Sequence, residues 1–155
     1  MSDQARWAMP KEYLTQEERN GLEGLYGDPG AAVLRETGAP AGLYTARSQP
    51  LSAADRRVAV TFKRHLTAIG QPVDVRVFGS RARGNATRES DMDIFIELET
   101  ATPATRRRIG ELAWEIGFAA GLVIAPFVVT RDELETGPVG ASPLIQHIMA
   151  EGVPV

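Results

Sequence analysis

Residues 78–96 read FGSRARGNATRESDMDIFI, and this stretch decides the fold because it joins two strands through a polar turn that contains glycine. Before it, residues 73–78 (VDVRVF) place a valine at every second position, which indicates a strand with one buried face. After it, residues 91–98 (DMDIFIEL) alternate again and direct their apolar side chains to the core: Met92, Ile94, Ile96 and Leu98. We therefore predict two strands connected by a loop over residues 79–90.

Two acids open the second strand. Asp91 and Asp93 are two positions apart, so both side chains point away from the core, with Cα atoms roughly 6.6–7 Å apart. Carboxylates mounted on a strand whose other face is buried can converge on divalent cations, and Mg²⁺ prefers such oxygen ligands. The alternative is a pair of solvated acids on an exposed strand face. The D-x-D pattern alone leaves both interpretations open.

A glycine-serine turn follows the first strand directly. Gly79 lets the backbone approach a ligand closely, and successive N–H groups at a strand-to-helix turn, with the Ser80 hydroxyl, can bind an anion. Arg81 and Arg83 would lie beside this turn, where guanidinium groups can pair with phosphate oxygens. An ordinary strand-ending turn with surface arginines is the alternative. The spacing of a P-loop is absent.

In combination, the glycine-serine turn, the arginines and the D-x-D strand resemble the signature of the DNA polymerase β-like nucleotidyltransferase superfamily. They are most similar to the minimal nucleotidyltransferases of bacteria and archaea, a subgroup that includes antitoxins paired with HEPN toxins. The specific match covers about residues 75–98, and the order of elements is similar over about residues 51–155. Residues 142–153 also resemble the tail of such proteins.

The resemblance implies an α+β nucleotidyltransferase fold, with a small mixed sheet flanked by helices. It implies that Asp91 and Asp93 are the catalytic residues and hold two Mg²⁺ ions. It also implies a set of residues that bind the phosphates of ATP or another nucleoside triphosphate: Gly79, Ser80, Arg81 and Arg83. An acceptor hydroxyl would attack the α-phosphorus and pyrophosphate would leave. We expect AMP to be transferred to a protein or a small molecule.

The third strand departs from this resemblance. Active members usually carry a third carboxylate there, but residues 122–129 (LVIAPFVV) contain no acid. Glu97 shares the face of Asp93 but lies roughly 13 Å further along the strand. Whether the chain is an enzyme therefore stays open, although the intact motifs favour one. Either two carboxylates suffice for catalysis, or a partner supplies the third, or the chain is a catalytically weakened module that binds a nucleotide or a partner. Pro126 places the third strand at a sheet edge or at a bulge.

The chain divides at about residue 50 into an arm, residues 1–50, and the nucleotidyltransferase domain, residues 51–155. In the arm we predict a helix after the capping box at Thr15, a second helix around residues 31–37 and a linker up to Pro50. In the domain, four helices are predicted to begin after capping residues: Ser52, Thr102, Thr130 and Ser142. Asp55 follows Ser52 by three positions, where a capping box has its acid.

Composition limits the partners. The chain of 155 residues has no cysteine and a net charge of -3, which excludes thiolate sites and argues against holding duplex DNA by bulk charge. No apolar run approaches the ~18 residues of a membrane helix, and the N-terminus lacks a secretory signal, so we expect a cytoplasmic protein without a membrane partner. We expect a nucleoside triphosphate as ligand and, from the resemblance, a HEPN-type protein partner. A homodimer is left open. An antibiotic-modifying transferase is disfavoured because we expect no second domain to build an aminoglycoside pocket, unless a dimer completes it.

Overall fold

A computed structural model describes residues 13–26 and 51–155 of the chain. The helix predicted around residues 31–37 and the linker predicted up to Pro50 lie outside the described residues. The predicted boundary between arm and domain falls at the end of the second undescribed range, so it stays a prediction.

Six helices and four strands form the described part of the chain, and most begin where the sequence predicts. In chain order they are α1 (Gln16–Leu22), α2 (Ala53–Leu66), β1 (Pro72–Phe78), α3 (Gly79–Arg83), β2 (Met92–Leu98), α4 (Pro103–Ala120), β3 (Ile124–Thr130), α5 (Arg131–Glu135), α6 (Pro143–Glu151) and β4 (Val153–Pro154). The predicted caps are formed by the hydroxyls at the starts of α1, α2, α4, α5 and α6: Thr15, Ser52, Thr102, Thr130 and Ser142. Two short elements, α3 and β4, were not predicted.

The four strands form one mixed sheet in the order β3-β2-β1-β4. β1 runs antiparallel to β2 and to β4, and β2 runs parallel to β3. This arrangement confirms the predicted α+β class, a small mixed sheet flanked by helices. β3 lies at the sheet edge, as Pro126 predicts, because a residue without an N–H group cannot complete a ladder on both sides.

The two faces of the sheet bury different sets of side chains. One face packs against α2 and α4 and contains the four predicted core residues of β2, none more than 1% exposed: Met92, Ile94, Ile96 and Leu98. On the other face, Phe95 and Val129 pack against Ile145 and Ile148 of α6. The second face also carries Asp93. The middle of this face is covered by α6 and is not open to solvent.

Residues 13–26 pack onto the helices that cover the first face. Leu14 and Leu22 are buried in the same core cluster as α2 and α4. The carboxylate of Glu115, in α4, accepts hydrogen bonds from the backbone N–H groups of Tyr13 and Leu14, at 2.8 and 3.0 Å. This part of the predicted arm thus contributes to the core. Of the helices described, none has both the length and the apolar character needed to cross a membrane.

Candidate active site

The glycine-serine turn meets the D-x-D strand at Gly79. Phe78, the last residue of β1, pairs with Asp93 of β2, so the next residue passes directly over the Asp93 side chain. Gly79 has a φ of 74°, in the left-handed region, and a Cβ atom at this position would collide with Asp93 Oδ2. Only glycine therefore fits here, and its lack of a side chain brings the backbone into contact with the carboxylate.

The carboxylates of Asp91 and Asp93 have no hydrogen-bond or ion-pair partners among the residues that the structure describes. Asp91 is exposed and Asp93 is half-buried, and no hydrogen bond or salt bridge joins either carboxylate to another residue in the described ranges. Burial raises the pKa of Asp93 above its ordinary value, the charge of Asp91 raises it further, and Arg83 partly opposes both effects. The two acids are thus close enough to repel each other, and a bound cation would relieve that repulsion.

Ser80 and Arg83 both lie in α3, and the charge of Arg83 acts on Asp93. The N-cap residue of α3 is Phe78, which offers no side-chain hydrogen bond to the N–H groups at the helix start. Arg83 is exposed, is close enough to lower the pKa of Asp93, and forms no salt bridge with any residue that the structure describes. Its guanidinium group therefore remains available to an anion bound near the acids.

Arg81 is placed differently from the prediction. We predicted it beside the turn as a phosphate ligand, but it is 5% exposed and points into the protein. Its Nη1 donates to Asp55 Oδ1 at 2.7 Å, while Nε and Nη2 donate to the carbonyl oxygen of Ser90 at 3.2 and 2.5 Å. These contacts hold the Arg81 guanidinium group to Asp55 and Ser90 rather than beside the turn, and its predicted phosphate-binding role stays a prediction.

Asp55 is also used differently from its predicted capping role. The Ser52 hydroxyl caps α2 by accepting from the Asp55 N–H, but the Asp55 carboxylate turns to Arg81. The same Oδ1 accepts a hydrogen bond from the Tyr26 hydroxyl at 2.6 Å, and the guanidinium carbon of Arg81 lies 5.0 Å from the centre of the Tyr26 ring. Burial raises the pKa of Tyr26, and the bond to Asp55 raises it further, so the phenol stays a donor.

β3 supplies no acid to the site. Its parallel register with β2 pairs Asp93 with Ala125, so a small apolar side chain occupies the position beside the carboxylate. Glu97, further along β2, is bound to Arg131 at 3.3 Å. Within residues 13–26 and 51–155 no three potential ligands come together as a metal-binding cluster. The candidate site therefore rests on two carboxylates.

Comparison with known proteins identifies the family of the domain that carries this site. The family model described as a nucleotidyltransferase domain matches residues 60–148, more than half of the chain. The chain belongs to this nucleotidyltransferase family. No curated protein and no solved structure matches it.

The matched part of the nucleotidyltransferase domain begins within α2 and ends within α6. It contains all the residues that we predicted for the site, together with α3 and β2, in or next to which they lie. Tyr26 and Asp55 lie before it. The family model therefore covers the sheet strands β1, β2 and β3 and the predicted site residues. The two residues that hold Arg81 in place, Tyr26 and Asp55, come before the matched range.

The roles of Tyr26 and Asp55 were not predicted from the sequence. For Asp55 a signal was present, because it precedes Val58, Ala59 and Phe62 at helical spacing and so lies on the buried stripe of α2. An acid on an apolar stripe needs a buried partner, and Arg81 is that partner. For Tyr26 no local pattern gave a signal, because its contacts are made with residues distant in sequence.

Proposed function

We propose that this chain is a Mg²⁺-dependent nucleotidyltransferase that transfers a nucleoside monophosphate, AMP from ATP in the first instance, to a hydroxyl of a protein or small molecule. Membership of the family supports nucleotidyl transfer in general. The observation that carries the proposal is the contact between Gly79 and the carboxylate of Asp93. It puts the phosphate-binding turn and the metal-binding acid of the proposed mechanism in one place.

Asp91 and Asp93 have the properties of a site for Mg²⁺. The donors are hard carboxylate oxygens that bind no other residue in the described ranges, and the charge of Asp91 raises the pKa of Asp93, an effect that a bound cation would offset. Bound there, Mg²⁺ would supply positive charge that offsets the charge of the phosphates during displacement at the α-phosphorus. With only two acids, the protein would leave several coordination positions to phosphate oxygens and water, as Mg²⁺ sites commonly do.

The other residues of the site have separable roles in this proposal. The backbone at Gly79 and the Ser80 hydroxyl bind the β- and γ-phosphates, since Gly79 allows an approach that a side chain would block. Arg83, exposed and without a salt bridge among described residues, pairs with phosphate oxygens and offsets the charge of departing pyrophosphate. Arg81 has no direct role toward the nucleotide.

For the acceptor, we propose a HEPN-type toxin, which the chain would modify and thereby silence as an antitoxin. The support is the resemblance of residues 75–98 and 142–153 to the minimal nucleotidyltransferases. In this setting the chain acts in the cytoplasm and contacts neither membrane nor bulk duplex DNA. A hydroxyl of the partner would form the new bond to the α-phosphorus as the bond to pyrophosphate breaks.

Transfer of label from [α-³²P]ATP tests the proposal. The full chain is incubated with Mg²⁺, labelled ATP and a HEPN-type protein, and labelled acceptor is separated by electrophoresis. We expect Asp93→Asn to lose transfer by on the order of 100-fold or more, because several kcal/mol of charge stabilisation depend on the metal. Glu97→Gln is the matched control, since Glu97 shares the strand and the face but is bound to Arg131. Equal transfer by wild type and Asp93→Asn would contradict the proposal.

A second candidate function is a binding module without turnover. The observation that favours it is Ala125, which occupies the position beside Asp93 where a third acid would sit. A binding module would hold ATP or its protein partner with no label transferred. Partner binding that is unchanged in Asp93→Asn, together with no transfer by wild type, would favour this function over the first.

A further inference from the structure

We propose that Tyr26, Asp55 and Arg81 form a positioning unit that holds Ser90, and with it Asp91, in the arrangement that binds the metal. The inference rests on the proposed function, because it concerns the affinity of the same two carboxylates. It assigns Arg81 a role that neither the family match nor the motif gives it. The three residues are positioning residues, since none of them touches Asp91 or Asp93.

The first step is the bond from Arg81 to the residue before Asp91. Two guanidinium nitrogens donate to the Ser90 carbonyl oxygen, at 2.5 and 3.2 Å, and this carbonyl belongs to the peptide group that leads into Asp91. Hydrogen bonds from a charged donor are among the stronger ones in proteins. The end of the loop over residues 84–90 is therefore held at the point where the acidic pair begins.

The second step is that α3 fixes both acids. Gly79, at the start of this helix, lies against the Asp93 carboxylate, and Arg81, in its middle, holds Ser90. The five residues of α3 thus connect to Asp93 on one side and to the residue before Asp91 on the other. A shift of Arg81 changes the position of Asp91 relative to Asp93 while leaving the contact at Gly79 in place.

The third step is that Arg81 depends on Asp55 and Tyr26 for its inward orientation. Arg81 and Asp55 are each 5% exposed, so the guanidinium charge is buried and is neutralised by Asp55. The Tyr26 hydroxyl donates to the same carboxylate, and its ring lies under the guanidinium group. Without these two partners a buried guanidinium group is costly, and Arg81 would turn toward solvent and release Ser90.

It follows that residues 13–26 belong to the working enzyme. Tyr26 is the last residue described in this segment. The segment is held on α4 by Glu115, whose carboxylate binds Arg19 at 2.5 Å. A path of direct contacts leads from there to the site: Tyr26, Asp55, Arg81, Ser90 and Asp91. The segment precedes the part of the chain that the family model matches.

Mn²⁺ binding to the full chain tests the inference without requiring turnover. Free Mn²⁺ is followed by electron paramagnetic resonance at a temperature where circular dichroism shows each variant to be folded. We expect Arg81→Lys to weaken Mn²⁺ binding by on the order of 10-fold, because a lysine cannot bridge Asp55 and Ser90 as a guanidinium group does. Tyr26→Phe, which keeps the ring and removes the hydroxyl, should weaken it by roughly threefold.

Arg19→Lys is the matched control. Arg19, like Arg81, binds a carboxylate that is 5% exposed, and it anchors the same segment, but it has no contact with Ser90. The N–H groups of Tyr13 and Leu14 still hold the segment to Glu115 in this variant, so it should lower the melting temperature and leave Mn²⁺ affinity unchanged. Equal losses of affinity in Arg19→Lys and Arg81→Lys would overturn the inference, as would wild-type affinity in both Arg81→Lys and Tyr26→Phe. If Arg81→Lys does not fold, Tyr26→Phe decides alone.

The Asp93→Asn variant separates this inference from the proposed function. If wild type binds Mn²⁺ and Asp93→Asn does not, the metal site stands, and the Arg81 variants then decide on the positioning unit. If wild type binds Mn²⁺ no better than Asp93→Asn, the proposed metal site fails and the inference fails with it.

Discussion

α3 contacts one pair of charged residues and contributes a member to another, and the two pairs are built in opposite ways. Asp91 and Asp93 have like charges, stand at the surface end of β2 and have no partners among the described residues. Asp55 and Arg81 have opposite charges, are buried, and are bound to each other and to Tyr26 and Ser90. Arg81 and Gly79 both lie in the motif, yet Arg81 binds Asp55 and Ser90 inside the protein, whereas Gly79 lies against Asp93. The partners of a residue therefore identify its role better than its place in the motif does.

The largest expected effect is on the buried pair. Asp55→Asn removes the counter-charge of Arg81 while keeping the size of the side chain, so a buried guanidinium charge is left unneutralised. We expect the free energy of unfolding to fall by about 3–5 kcal/mol. Urea denaturation followed by circular dichroism measures it.

Asp74→Asn provides the control for this prediction. Asp74 binds Arg76 at 2.5 Å, but the side chains are 23% and 24% exposed. Breaking this pair should cost no more than about 1 kcal/mol. Equal losses of unfolding free energy in the two variants would show that burial does not distinguish these ion pairs. The contrast between the buried pair and the acidic pair would then lose its energetic basis.

Much of the fold could be predicted because its signals are local. Alternation over residues 73–78 and 91–98 predicts β1 and β2, hydroxyl caps predict the starts of five helices, and Pro126 predicts the edge position of β3. α3 was predicted as loop because five residues are too short to show an apolar period. β4 has only two residues and exists because Val153 and Pro154 pair with β1. Such pairing depends on the tertiary structure.

The candidate site was predicted in part, for the same reason. Strand geometry predicts that Asp91 and Asp93 share a face, and the motif predicts that a glycine approaches them. The direction of Arg81 could not be predicted, because it depends on how far α2 lies from α3 and on where Tyr26 is placed. Arg81 and Arg83 look equivalent in the sequence, yet one is buried and the other exposed.

Gly79→Ala tests the contact that links the turn to the acids. A side chain at this position must adopt a left-handed φ and also collides with Asp93 Oδ2. We expect a loss of about 1–3 kcal/mol in stability, together with loss of Mn²⁺ binding. Gly110→Ala is the control, since Gly110 lies within α4 with open space around it, and alanine there should stabilise by about 0.5–1 kcal/mol. Unchanged stability and metal affinity in Gly79→Ala would contradict the geometry.

Ala125→Asp tests the acidic pair by adding a third carboxylate next to Asp91 and Asp93. The parallel register places position 125 beside Asp93, so the new carboxylate faces the same cation. We expect Mn²⁺ to bind on the order of tenfold more tightly, because added ligand charge increases cation affinity. Ala125→Asn, similar in size and uncharged, should leave the affinity near that of wild type. Equal affinities in the two variants would show that position 125 does not face the metal.

The smallest expected effect concerns the sign of the Asp93 contribution to stability. The pKa of Asp93 is raised in the folded protein, so its ionised form is less favourable there than in the unfolded chain. The cost is present at a pH above the folded pKa and disappears as the pH falls below the ordinary value of 3.8. At neutral pH without metal, Asp93→Asn should therefore stabilise the protein, by less than about 1 kcal/mol. At pH 3 the gain should vanish.

Added Mg²⁺ should reverse the order of stability of wild type and Asp93→Asn at neutral pH, since only wild type gains stability by binding it. Thermal unfolding under the three conditions measures this. A variant that is less stable than wild type at neutral pH without metal would mean that Asp93 is held by partners, as Asp55 is.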